Sequence, residues 1–271
     1  MSTLAPRERQ RRNLTLFRIA VLVPVGLFFL LPMAALFEFS TRGLGLSTAR
    51  TLDAWRAIGQ SPELLGAIQV SLELAVITSL VALLLMVPTL VWVRLRLPGL
   101  SRTVEFLCLL PLTVPPIALV VGLAPLYLWV TYLFGDSVVN LWFVYVVLVL
   151  PFVYRSLDTG LAAIDLRTLA EAGRSLGASW GAVMWRVVMP NITSAMLNAG
   201  VLSVALVLGE FTIANLLNYP NMAYMVNQVG QSDPGIAVAA SAGSLLFVFV
   251  LLLGLSFVGG RRRGGASTEK E

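Results

Sequence analysis

The sequence predicts an all-α membrane protein with six transmembrane helices and both termini in the cytoplasm. Three observations lead there. Of 271 residues, 58% are hydrophobic and 12% charged, with a mean hydropathy of +0.86, whereas a soluble domain carries about 25% charged residues. Six runs approach the ~20 apolar residues that cross a hydrocarbon core. Lysine and arginine crowd alternate loops, the pattern that marks the cytoplasmic face.

The predicted spans are residues 16–37, 64–93, 104–134, 138–154, 192–211 and 236–258. The first is too long for a signal peptide, and no small-residue cleavage site follows it. Arg7, Arg9, Arg11, Arg12 and Arg18 lie at the N-terminal end; Arg94, Arg96 and Arg102 follow the second span. Arg155, Arg167, Arg174 and Arg186 follow the fourth, and Arg261, Arg262, Arg263 and Lys270 the sixth. Only Arg42, Arg50 and Arg56 fall on the other side. Residues 1–15 are then a cytoplasmic segment and 16–258 the membrane domain, with a cytoplasmic loop at 158–190. Residues 259–271, "GGRRRGGASTEKE", read as a disordered cytoplasmic tail.

The composition removes whole classes of chemistry. Cys108 is the single cysteine, so no intramolecular disulfide forms, and no histidine exists to build a zinc site, a proton relay or a Ser-His-Asp triad. No cofactor, no metal and no catalytic residue is expected. A net charge of +5 reports orientation in such a chain, not binding to nucleic acid. The only lysine is Lys270, and a phosphate-binding P-loop needs a lysine reaching the β/γ-phosphates, so this chain does not hydrolyse ATP in that manner.

The cytoplasmic loop carries the densest pattern. Leu166, Leu169, Ala172, Gly173 and Leu176 recur at helical spacing. Gly177 ends that helix as a left-handed residue. Ser179 is placed to cap a second helix bearing Trp180, Val183, Met184, Val187 and Val188, and Pro190 marks its boundary with the fifth span. Such a pair of amphipathic helices fits two roles: lying at the headgroup level of the membrane, or docking into a groove on a partner.

The spacing Glu171-Ala172-Gly173, three residues, Gly177, nine residues, Val187, one residue, Met189-Pro190 resembles the EAA loop of binding-protein-dependent ABC importer permeases. That pattern is E-A-A-x3-G-x9-I-x-L-P, so this chain departs at Gly173, Val187 and Met189. The resemblance runs from the second span to the sixth and implies a MetI-like permease core in a bacterial inner membrane. It implies that Glu171 pairs with an ATP-binding subunit, that Gly177 permits the turn, and that Trp180, Met184 and Trp185 form an apolar plug. Implied partners are two ATP-binding subunits, a second permease subunit (homologous or identical), a periplasmic or extracellular substrate-binding protein, and membrane lipid.

Ionisable residues inside spans are functional candidates by default. Glu73 lies in the second span beside Gln69 and Ser71, and Glu210 lies near the outer end of the fifth, ahead of Asn215 and Asn218. Both, with Asn215, are candidates for the path or its gate; for Glu73, hydrogen bonding between packed helices is the competing reading. "LPLTVPPIALVVGLAP" places Pro115 and Pro116 in the third span as a static bend or a hinge. This stretch and "GEFTIANLL" resemble the permeases of the polyamine, phosphonate, ferric-iron, molybdate and sulfate branch; polyamine-like members come nearest, which implies a substrate of the spermidine or putrescine kind. Tyr219, Pro220, Asn221, Tyr224 and Asn227 offer groups to a soluble binding protein outside, or form an interfacial loop. The rival from another class is a self-contained secondary transporter or channel with Glu73 or Glu210 as its coupling carboxylate.

Overall fold

The computed structural model describes residues 6–42 and 50–264, with side chains for 14–42, 50–251, 253 and 254. The described residues are helical apart from short turns and an isolated backbone bridge between Arg42 and Arg50. Five helices are long and apolar enough to cross a membrane, or six if one bent pair is a single span. In chain order they are α1 (Pro6–Ser40), α2 (Asp53–Gln60), α3 (Pro62–Arg96), α4 (Ser101–Leu109), α5 (Pro116–Phe134) and α6 (Trp142–Ala162). Then come α7 (Leu166–Ser175), α8 (Trp180–Asn191), α9 (Thr193–Leu208), α10 (Thr212–Leu217), α11 (Met222–Ser232) and α12 (Pro234–Gly264).

The chain divides into two compact units, residues 1–60 with 229–244, and residues 61–228 with 245–271. In the first, the Trp55 indole N–H donates to Ser40 Oγ at 3.3 Å, and a Cβ on Gly243 would come within 3.4 Å of the Trp55 ring. The apolar stretch of α1 leaves essentially all of its surface outward.

The second unit is built on α3, α6 and α9, which pack against one another. Small residues recur every three or four positions along the seams: Ser71, Ala75, Thr78, Ser79 and Ala82 on α3, and Ala195, Ala199 and Ser203 on α9, all buried. Between apolar lipid tails and apolar side chains there is no hydrophobic gain, so helices associate by close backbone approach, which small residues permit. The extreme case is Gly160 on α6, where an added Cβ would lie 2.2 Å from the Ala195 Cβ.

Three boundaries differ from expectation. The third span does not run unbroken from residue 104: α4 ends at Leu109, a tight turn spans Leu110–Leu112, and α5 starts afresh at Pro116. Pro115 is extended (φ −57°, ψ 140°), as a residue preceding proline favours, and Pro116 occupies the first turn of α5, where its missing N–H costs nothing. These prolines therefore start a span instead of bending one. The fourth span continues past residue 154 to Ala162. Charges that read as loop are accommodated there because Arg94 on α3 pairs with the Asp158 carboxylate and backbone carbonyl, and Arg155 pairs with Glu105 on α4 at 3.2 Å. The last helix runs to Gly264, beyond the 258 boundary; the remainder of the expected tail lies outside the described residues.

Candidate functional site

The loop between α6 and α9 is two helices joined by a locked turn. Asp165 caps α7, accepting from Thr168 N at 3.2 Å and from the Thr168 hydroxyl at 2.7 Å. Those bonds hold its carboxyl below the usual carboxylate range. Because the folded pKa is depressed, the cap contributes fully above the unfolded carboxylate pKa of about 3.9, and its contribution is lost as pH falls through the folded value.

At the far end of α7, Ala178 N donates to Gly173 O at 3.1 Å and Gly177 N to Arg174 O at 3.0 Å. This is the paired 6→1 and 5→2 closure of a Schellman motif, with Gly177 at φ +81° as its left-handed residue. The Arg174 side chain donates to Ala178 O at 2.7 Å and braces the same turn. Ser179 Oγ then accepts from Ala182 N at 3.2 Å as the cap of α8. Gly177→Ala is expected to weaken this turn by about 1 kcal/mol, because alanine lacks glycine's access to positive φ; greater protease sensitivity of the loop in detergent, with the spans intact, would register it.

Within α8, Val183–Val188 forms a π-helical turn ahead of Pro190, which has no N–H to continue an α-helical ladder. Side chains supply local donors instead: Asn191 Nδ2 donates to Val187 O at 2.7 Å, and the Thr193 hydroxyl to Met189 O at 3.0 Å. The helix breaks at Ile192, two residues beyond the proline, and α8 meets α9 at 75°.

The departure at Gly173 has a steric reason. An added Cβ would sit 3.2 Å from Val183 Cγ2 and 3.6 Å from Val187 Cγ2, so α7 and α8 pack too closely for alanine to enter without a shift. The lower helix propensity of glycine, about 1 kcal/mol, is offset by burial of Val183 and Val188 against α7.

The apolar residues sort differently from the expected plug. Met184 and Trp180 are half-buried and pack against the core. The Trp180 ring stands edge-on to Trp92 of α3, centroids 6.2 Å apart, with the Arg96 guanidinium 4.5 Å and the Arg174 guanidinium 5.3 Å from its centroid. It therefore fastens the loop to the end of α3. Trp185 projects outward, 64% exposed, and so does Leu176, 89% exposed at the tip of the turn. Glu171, Ala172 and Pro190 are also exposed, with Glu171 held by Arg167 at 3.0 Å. At that exposure the ion pair contributes well under ~1 kcal/mol. The outward surface thus includes Glu171, Ala172, Leu176, Trp185 and Pro190.

A second constellation surrounds Glu210. Its carboxylate is buried, 9% exposed, and accepts from Ile213 N at 2.8 Å, from Ala214 N at 3.3 Å and from the Tyr145 hydroxyl at 3.0 Å. Asn221, 2% exposed, donates to Glu210 O at 2.6 Å and to Tyr145 Oη at 3.3 Å, while its own Oδ1 accepts from Tyr224 N at 2.8 Å. Met222 N donates to Ser71 Oγ of α3 at 2.8 Å. Glu210 therefore caps α10 and ties the α9–α10–α11 turn to α6. The sequence reading missed Tyr145 and the inward role of Asn221; a carboxylate two residues ahead of a short apolar helix was the available signal.

Glu73 behaves oppositely. It lies exposed on α3 and accepts from Gln69 Nε2 at 2.9 Å. The alternative of a carboxylate buried between packed helices does not hold within this chain. Asn215 is exposed on α10 and is not joined to the Glu210 cluster through its side chain. Tyr219 donates to Asp136 and stacks edge-on with Tyr127 at 5.5 Å.

No family model matches the chain. A probable sulfate transport system permease protein, cysT, from Chlorokybus atmophyticus is 28% identical over 185 residues, covering 62% of this chain and 64% of that protein. The similarity is to a transport permease. This chain spans just under two thirds of the length of that relative. Its apolar helices and this likeness together make it a multi-pass inner-membrane protein with an all-α, permease-type fold.

Proposed function

We propose that this chain is the membrane permease subunit of an ABC importer, a non-catalytic subunit that forms part of the translocation path and is driven by a separate ATPase. One observation supports this most: the two-helix loop presents Glu171, Leu176 and Trp185 outward from a turn locked by Gly177. Its roots are fixed to the spans through Trp180 and through the Gly160–Ala195 contact. A push on the loop is then transmitted to α3, α6 and α9 instead of being absorbed, which is what a two-state mechanical connector requires. Two ATP-binding subunits dock on the loops of this chain and of a second permease, and an external binding protein delivers the substrate.

The similar protein is named for sulfate, and nothing in that likeness supports the expected spermidine or putrescine substrate. We read the substrate as a small inorganic oxyanion. Glu210, with its acceptors taken by three donors, acts as a brace for the outer hairpin and not as a carboxylate that contacts the cargo. The secondary-transporter reading retains one favourable observation, the exposure of Glu73 about 16 Å along α3 from its outer end.

Leu176→Ala is expected to weaken association with the ATP-binding subunit by about 30-fold, since burying a leucine contributes about 2 kcal/mol. Leu176→Glu should abolish co-purification while leaving the thermal midpoint of the chain unchanged. Unchanged association of both variants contradicts the docking assignment.

A further inference from the structure

A cavity of about 480 Å³ opens between the end of α6 and the start of α9. Its polar lining is Arg155, Ser156 and Thr159 from α6, and Asn191, Ser194 and Asn198 from the α8–α9 junction. Arg155 and Thr159 fall four apart on α6, and Ser194 and Asn198 four apart on α9, so each helix contributes one polar stripe; Ser156 lies beside Arg155, and Asn191 sits just before the break at Ile192. Gly160 and Ala195 also line it, and their close approach, 2.2 Å from an added Gly160 Cβ to the Ala195 Cβ, holds the two stripes at a fixed separation.

Every one of those six side chains carries an N–H or O–H donor, and no carboxylate lines the cavity. Thr159 uses its hydroxyl on Arg155 O at 2.8 Å, and Asn191 its amide on Val187 O. Ser156, Ser194 and Asn198 make no side-chain hydrogen bond among the described residues. Arg155 forms an ion pair with Glu105 through Nη1, and a guanidinium carries five N–H groups. Glu105 is not among the lining residues.

Asn198 lies about 8 Å along α9 from Thr193, inside the apolar run "SAMLNAGVLSVAL". An amide at that depth with no partner is costly against lipid. Its face therefore meets water or a polar guest.

We infer that this cavity is the inner mouth of the translocation path and a transient binding site for a small oxyanion. The inference rests on the permease reading and adds to it a place and a charge preference. A tetrahedral oxyanion is an acceptor on every oxygen, and hydroxyls, amides and the guanidinium N–H groups that Arg155 does not turn to Glu105 answer it. A polyammonium is met best by carboxylates, and the lining offers none, its side-chain carbonyls being those of Asn191 and Asn198 alone. The open side of the cavity lets the anion leave toward the cytoplasm.

The test uses the assembled transporter in inside-out vesicles, with Ser194→Cys and Asn198→Cys introduced separately in a Cys108→Ala background. Each is labelled with an anionic sulfonate and a cationic trimethylammonium methanethiosulfonate of similar size. The anionic reagent is expected to react about tenfold faster at both positions, as a charged cleft concentrates its counter-ion. Millimolar sulfate should slow labelling while spermidine does not. Arg155→Gln should reduce the anion preference and Arg155→Lys should keep it. Faster reaction of the cationic reagent, protection by spermidine alone, or no reaction with either reagent at both positions overturns the site; the last outcome means that a second permease or lipid covers this face. ATP dependence of uptake, measured on the same vesicles, decides the permease reading separately.

Discussion

Gly160→Ala is expected to destabilise the membrane domain by about 3 kcal/mol, at the upper end of overpacking costs. The added methyl would lie 2.2 Å from the Ala195 Cβ, and neither carbon can rotate away because each is fixed to its backbone. α6 and α9 must separate to admit it. That separation matters beyond stability, because α6 leads into α7 while α9 follows α8, so the contact holds both roots of the cytoplasmic loop. Ala195→Gly alone removes a methyl from the same seam and costs about 1 kcal/mol through helix propensity. Combined, the two changes exchange the methyl across the interface, and the double variant should recover most of the loss. Thermal unfolding in detergent, read as a double-mutant cycle, measures the coupling. Additive losses would mean that the two helices do not meet there.

Glu210→Ala is expected to cost about 4 kcal/mol, because the Ile213 and Ala214 N–H groups and the Tyr145 hydroxyl lose their acceptor in a buried site, each at about 1–3 kcal/mol. Glu210→Gln keeps one acceptor oxygen in the same place, and the tyrosine hydroxyl can turn to accept from the new amide. It should cost no more than about 2 kcal/mol and leave most of the transport rate. A coupling carboxylate behaves otherwise: glutamine there preserves the fold and stops transport. The ratio of uptake to folded protein in the Gln variant separates these roles, and uptake lost from a fully folded variant would restore Glu210 to the path.

Features set by neighbouring residues were legible in the sequence. The left-handed Gly177 and the Ser179 cap depend on a few adjacent backbone groups, and both are found. The second span was legible as well, since hydropathy reports its length directly. The third was not, because a hydropathy window counts Pro115 and Pro116 as apolar and is blind to the backbone break they impose, although a Pro-Pro pair is itself a turn signal.

Orientation of the loop residues was beyond periodicity. Helical spacing groups Trp180, Met184 and Leu176 as apolar, but which of them turns inward depends on α3, whose Trp92 and Arg96 claim Trp180. Leu176, grouped by spacing with Leu166, Leu169, Ala172 and Gly173, follows the last residue of α7 just before the chain reverses and is left at the tip. Glu210 was singled out for its charge inside a span. The donors that occupy it come from α6 and from backbone just beyond it, a convergence that only the folded hairpin reveals.

The central claim is that this chain moves its cargo only when a separate ATPase drives the loop. It is tested most directly by radiolabelled sulfate uptake into liposomes holding the chain with its permease partner and external binding protein, with and without the ATP-binding subunits. Uptake is expected only when those subunits and ATP are present on the loop side, and Leu176→Glu should abolish it. Uptake by the chain alone, driven by a proton or sodium gradient and lost in Glu73→Gln, would contradict it.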